Sequence, residues 1–353
     1  NDDTEATIGE TLDYRLVLTV PEGTLPDLSI VDVLDPGLAF VQCINISAST
    51  GLSTDLSGGF NAACPTTPQD PAVNPAITND ARTITFDLGT ITNSDTINDT
   101  PETITIDYRV VVLNIIENQH GHFRNNSATP LSGTTALTPS ESADDITIIE
   151  PAPTVSKNAT IGGSSIGLPG DTVIYTITIS NIGSETTDAY DLRLNDPLPK
   201  VNPDSDPADN RSLITLPTIT SVVGDNSSNY TLTGSDAGGW ILSNINDIDL
   251  SVGDTIIITI QGTLLQVDPP AVSADQLIKN IVDMTWTSLP GDPRQVSIYL
   301  PESTERDGSG EVNDYATNDD ADIRVENIVF SKQLIDLNGY VLKIGRASCR
   351  ERV

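Results

Sequence analysis

The chain has 353 residues, 37% hydrophobic and 4% aromatic, with 50 acidic against 17 basic side chains and a formal net charge of -33. That length is room for two or three domains. The charge repels phosphate backbones and anionic lipid, so nucleic acid and membrane surfaces are not expected partners. No apolar stretch is long enough to cross a bilayer as a helix.

Strand-forming Thr and Ile are abundant, and so are the turn formers Asn, Asp, Gly and Pro, which points to an all-β chain with many loops. The chain opens at Asn1 with no initiator Met and no signal peptide, so the amino end reads as cut. The first predicted strand has Leu12, Tyr14, Leu16 and Leu18 at period two, with Asp13 and Arg15 on the other face. That is a half-buried antiparallel strand. Leu28–Asp35 is the second, closed by Asp35-Pro36, a pair that stops a strand and starts a turn. The polar stretch near residues 49–80 reads as a long loop or an extra edge hairpin. Glu102–Val112 and Ala143–Glu150 read as further strands, with Asn126-Ser-Ala128 between them. Pro151-Ala-Pro153 then stiffens a joint.

The same series recurs after the joint. Gly170-Asp-Thr-Val-Ile-Tyr-Thr-Ile-Thr-Ile179 repeats Gly9–Leu18, and Tyr190–Pro199 repeats Leu28–Gly37, aligning Asp196-Pro197 with Asp35-Pro36. Asp254–Gln261 matches Glu102–Val112 in role, Asn280-Ile-Val282 matches Asn126-Ser-Ala128, and Ala321–Glu326 matches Ala143–Glu150. The polar stretch near residues 200–238 likewise reads as a long loop or an extra edge hairpin. Ile328-Val-Phe-Ser-Lys332 repeats the first joint. The expected layout is a set of tandem immunoglobulin-like β-sandwich modules. One spans residues 1–150 and lacks its opening strand, a second spans 151–327, and a third begins at 328–342. Residues 343–353 break the composition with three Arg and a Cys, and Ile344–Val353 resembles a translated sequencing adapter. Setting that tail aside leaves Cys43 and Cys64, which fit either a disulfide in an oxidising compartment or two unrelated thiols.

Gly170–Ile179 continued through Ser180-Asn-Ile-Gly183, with Asp196-Pro-Leu-Pro199, resembles the DUF11 repeat of large bacterial surface and fimbrial proteins. Ala6–Arg15 with Pro21-Glu-Gly23 is similar to the isopeptide-forming fimbrial variety. The resemblance implies a non-catalytic stalk or adhesin module outside the cell. Its expected partners are neighbouring modules and a host, matrix or cell-surface ligand. It also implies a Lys–Asn crosslink in each module, which needs a buried amine beside an amide and a carboxyl to move protons. Lys157 and Lys332 hold equivalent places after the joints. Asn318 is the candidate amide for Lys157, and Asp196, on a strand end, is the candidate proton carrier. The alternative makes Lys157 an exposed lysine guarding a sheet edge.

Calcium is the one cofactor the sequence offers. Asp307, Ser309, Glu311, Asn313 and Asp314 put oxygen ligands at alternate positions, although Val312 stands where an EF-hand has its turn glycine. Asp204, Asp206 and Asp209 form a second acidic loop. Both read equally as polar turns. His120-Gly-His122 would face one side of a strand, but zinc needs a third ligand. No nucleophile elbow or phosphate loop occurs. Rival readings are a carbohydrate- or protein-binding module, for which Trp240 and Trp286 are the available tryptophans, and an accessory domain of a larger secreted enzyme.

Overall fold

A computed structural model describes residues 4–65, 74–97, 100–183, 186–201, 211–266, 272–290 and 315–326, and the backbone of Leu334–Ile335 and Val341–Leu342. The chain is all-β and forms immunoglobulin-like sandwiches around two hydrophobic cores. One core draws on residues between Ala6 and Ile148, the other on residues between Val155 and Val325.

Around the first core run β1 (Glu5–Ala6), β2 (Thr11–Thr19), β3 (Gly23–Leu34) and β4 (Leu38–Ala48). They are followed by β5 (Thr83–Asn93), β6 (Thr103–Val112), β7 (Asn126–Ser132), β8 (Glu141–Ser142) and β9 (Ile146–Ile148). One sheet has the order β2-β6-β4, and β7-β3-β5 form the middle of the facing sheet. β8 pairs with β7, and β1 runs parallel to β9. Ile104, Ile106, Tyr108 and Val110 of β6 are all buried, as a period of two requires. The outward face of β2 and β6 carries Arg15 on Asp107 and Arg109 on Asp13, each 2.7 Å apart and cross-strand. Exposed pairs of this kind fix register more than they add stability.

Around the second core run β10 (Thr154–Ile161), β11 (Ile166–Gly167), β12 (Thr172–Ser180) and β13 (Tyr190–Pro197). β14 (Ile214–Val223), β15 (Gly239–Asn244), β16 (Thr255–Leu264), β17 (Leu277–Thr287) and β18 (Ala316–Val325) follow. One sheet has the order β10-β12-β16-β14, and the other runs β11-β18-β17-β13-β15. β12 therefore sits where β2 does, with β16 in the place of β6 and β14 in the place of β4. Tyr14 faces Tyr108 across its pair of strands, as Tyr175 faces Ile260. β10 has no counterpart beside β2 among the described residues.

The extra length expected near residues 49–80 holds two short strands and a turn of 3-10 helix over Gly59–Ala62. Cys64, beyond that turn, bonds to Cys43 on β4 with an S–S distance of 2.04 Å. In the second polar stretch, Tyr230–Ser235 pairs with β15 as a hairpin. β13 ends at the expected Asp196-Pro197 pair, with Asp196 fully buried and Pro197 paired with Ile241. Asp35, its partner in the sequence alignment, lies half-buried at a turn.

Candidate functional site

The second core holds a lysine. β10 alternates strictly, so Val155, Lys157, Ala159 and Ile161 all face inward. Lys157 Nζ lies 2.6 Å from Asp196 Oδ2, and neither side chain has any exposed area. The ring of Tyr175, on the neighbouring strand, is 5.1 Å from the same nitrogen at its centroid. Burial lowers the Lys157 pKa and raises that of Asp196, while each group's pull on the other opposes the change. Desolvation is the larger effect on both, so burial favours the uncharged form of the amine and of the acid. The backbone N–H of Lys157 donates to Asp319 Oδ2 at 2.6 Å, tying β10 to β18.

Asn280, on β17, completes the group. It is 1% exposed, and neither atom of its amide has a well-aligned hydrogen bond. Its side chain bears on the Asp196 carboxyl, whose charge it stabilises. A buried amide with unmet polar atoms costs stability, so its presence calls for an explanation. A buried amine and a buried amide thus both bear on one buried carboxyl, and amide exchange needs these three groups together.

The sequence reading named two of these three residues. Asn318 is exposed on β18, opposite Asp283, because the outward positions of that strand are its even-numbered residues. Asn280 carries the inward amide instead. Its repeat with Asn126 was visible in the sequence, but nothing there marked it as chemically distinct from other asparagines. Lys157 is buried, not an exposed edge lysine. Lys332 and the calcium candidates Asp307, Ser309, Glu311, Asn313 and Asp314 lie outside the described residues, as do Asp204, Asp206 and Asp209. His120 and His122 are exposed in a turn rather than on a strand. Among the described residues no three His, Cys, Asp or Glu side chains gather as a metal site. Trp286 stacks on Tyr315 with ring centroids 5.8 Å apart and is buried, while Trp240 is half-buried and donates to Asp236.

The first core repeats the group with one member changed. Asp32 on β3 is fully buried and lies opposite Ala128, two residues after the buried Asn126. Asn195 lies opposite Asp283, which sets Asp196 against Val282, two residues after Asn280. Asp32 and Asn126 are therefore the structural counterparts of Asp196 and Asn280. The Tyr108 hydroxyl donates to Asp32 Oδ2 at 2.8 Å, and the Asn126 amide reaches the same hydroxyl. Burial pushes the Asp32 pKa up to about 7 despite both hydrogen-bonding groups. Among the described residues Asp32 Oδ1, Asn126 Oδ1 and the Tyr14 hydroxyl have no hydrogen-bond partner.

No protein-family model matches the chain, so the DUF11 resemblance rests on the quoted residues alone. No curated protein matches either. Among solved structures, the C-terminal domain of the AgI/II polypeptide BspA of Streptococcus agalactiae is similar over 92% of this chain and 95% of that one, at 11% identity and a TM-score of 0.35. The full-length major pilin SpaD of Corynebacterium diphtheriae is similar over 84% of this chain and 58% of its own, at 13% identity and a TM-score of 0.28. BcpA, the major pilin subunit of Bacillus cereus, is similar over 71% and 63%, at 9% identity and a TM-score of 0.27.

Proposed function

We propose that the chain is a non-catalytic, load-bearing part of a bacterial surface protein of fimbrial or adhesin type, whose second sandwich is locked by an amide bond between Lys157 and Asn280. The observation that carries this reading is the buried Lys157–Asp196 pair beside the buried Asn280 amide, which bears on the same carboxyl. The neutral Nζ attacks Cγ of Asn280. Asp196, protonated, gives its proton to the amide oxygen as the tetrahedral carbon forms, then takes the proton shed by Nζ and passes it to Nδ2, and recovers its first proton from the oxygen as the carbonyl re-forms. The Cγ–Nδ2 bond breaks and ammonia leaves, so one amide replaces another without oxidation or reduction. The bond would join β10, the first strand of the sandwich, to β17, near its last. Force applied along the chain would then bypass the strands between.

Intact mass spectrometry of the whole chain tests this. The reading expects a mass lower than the sequence by one ammonia, restored in Asn280→Ala. A mass equal to the plain sequence would remove the crosslink from the account.

A further inference from the structure

The inward residues of β2 and β12 match in order but differ in burial. Val173, Tyr175, Ile177 and Ile179 are buried, whereas Leu12, Tyr14, Leu16 and Leu18 are only half-buried. The difference is the cover that β10 gives: it pairs with β12 along its whole length and packs on β18. Beside β2 the same place is an open groove of about 430 Å³. Tyr14, Leu16, Leu18 and Ile30 line it with apolar surface, and Asp32 and Asn126 stand in its wall. Glu141 also borders it. Glu141 lies opposite Ala128 as Asp319 lies opposite Val282, so it repeats the residue that holds the backbone of Lys157.

We propose that this groove accepts a β-strand carrying one inward lysine, antiparallel to β2, with the lysine amine on Asp32. Three observations on the groove itself select that occupant. Among the described residues no strand pairs with the outer edge of β2, so its backbone donors and acceptors there can receive one. The apolar floor suits alternate apolar side chains. The unmet oxygens of Asp32, Asn126 and Tyr14 need a donor that reaches inward between them, and a lysine amine supplies several hydrogens. The second core fixes the register. Lys157 faces Ile177 and Ala159 faces Tyr175, so the incoming lysine lies opposite Leu16 and the second residue after it lies opposite Tyr14. This inference concerns the first core and stands whether or not the amide forms in the second.

The test titrates the isotope-labelled whole chain with a synthetic peptide of the sequence Thr154–Ile161, followed by backbone amide resonances. The expected result is saturable shifts on β2, Asp32, Asn126 and Glu141. The same peptide with Lys157→Ala should bind about tenfold more weakly or worse, since a buried charge partner is lost. Because the change is in the peptide, the folding of the protein is not at stake. Four results would overturn the proposal. They are no shifts at millimolar peptide, equal binding by the alanine peptide, shifts on another face, or sedimentation showing that two copies pair through β2 and exclude the peptide.

Discussion

Asp32 and Asp196 occupy the same position in two successive sandwiches, each buried two residues across from an asparagine, but among the described residues only Asp196 meets a lysine. The two carboxyls therefore have opposite needs. Asp196 shares its proton with an amine, while Asp32 has Tyr108 and Asn126, which supply hydrogen bonds but no charge. Differences in the behaviour of the two sandwiches follow from that single change.

Asp32 should make the first sandwich less stable as pH rises. Its folded pKa of about 7 lies above the ordinary value of 3.8, so the folded state holds the proton more tightly than the unfolded one. The stabilisation is complete below the unfolded value, declines through the window up to the folded one, and is gone above it. At about 1.4 kcal/mol per tenfold change in proton affinity, the loss is on the order of 4 kcal/mol. Urea unfolding at about pH 4 and about pH 8 should show it, and Asp32→Asn should flatten the dependence. The carboxyl carbon resonance of Asp32 should titrate near neutrality; a midpoint in the ordinary carboxylate range would contradict the burial argument.

Asp196→Ala should leave the Lys157 amine buried without an acid. The variant is expected to keep its full mass and to lose about 3–5 kcal/mol of stability, the usual result of orphaning one member of a buried pair. Adding Lys157→Met should recover much of the loss, because an apolar chain of similar volume needs no partner. Chemical denaturation of the two variants side by side checks both steps. An Asp196→Ala protein as stable as the parent would mean the pair contributes nothing.

The two asparagines on adjacent strands make a sharp comparison. Asn318→Ala changes an exposed residue and should alter stability by no more than about 0.5 kcal/mol, with the mass deficit kept. Retention of the deficit in Asn280→Ala together with its loss in Asn318→Ala would reverse the assignment.

Reduction of the Cys43–Cys64 bond should weaken the first sandwich selectively. The bond closes a loop with a sequence separation of 21, for which lost loop entropy corresponds to about 3 kcal/mol. Thermal unfolding of the Cys43→Ala, Cys64→Ala double variant should show one transition moved down and the other, belonging to the second core, unmoved. A shift of both would mean the two sandwiches unfold as a unit.

Much of the architecture was legible in the chain itself. Period-two alternation in Leu12–Leu18 and Val173–Ile179 set the strands and their inward faces, and the repeat of that pattern set the number of cores. Such signals are local, because alternation follows from the pleat of a strand whatever it packs against. The rarity of lysine also made Lys157 conspicuous. Sequence could not decide which asparagine faces that lysine, since Asn280 and Asn318 sit on neighbouring strands and differ only in which side of the sheet they point to. Nor could it show that Asp32, three residues before the Asp35-Pro36 turn, is the true counterpart of Asp196. Those assignments depend on register between strands far apart in the chain. A shift of one residue exchanges the two faces, so only the folded sheet fixes which side chains meet in the core.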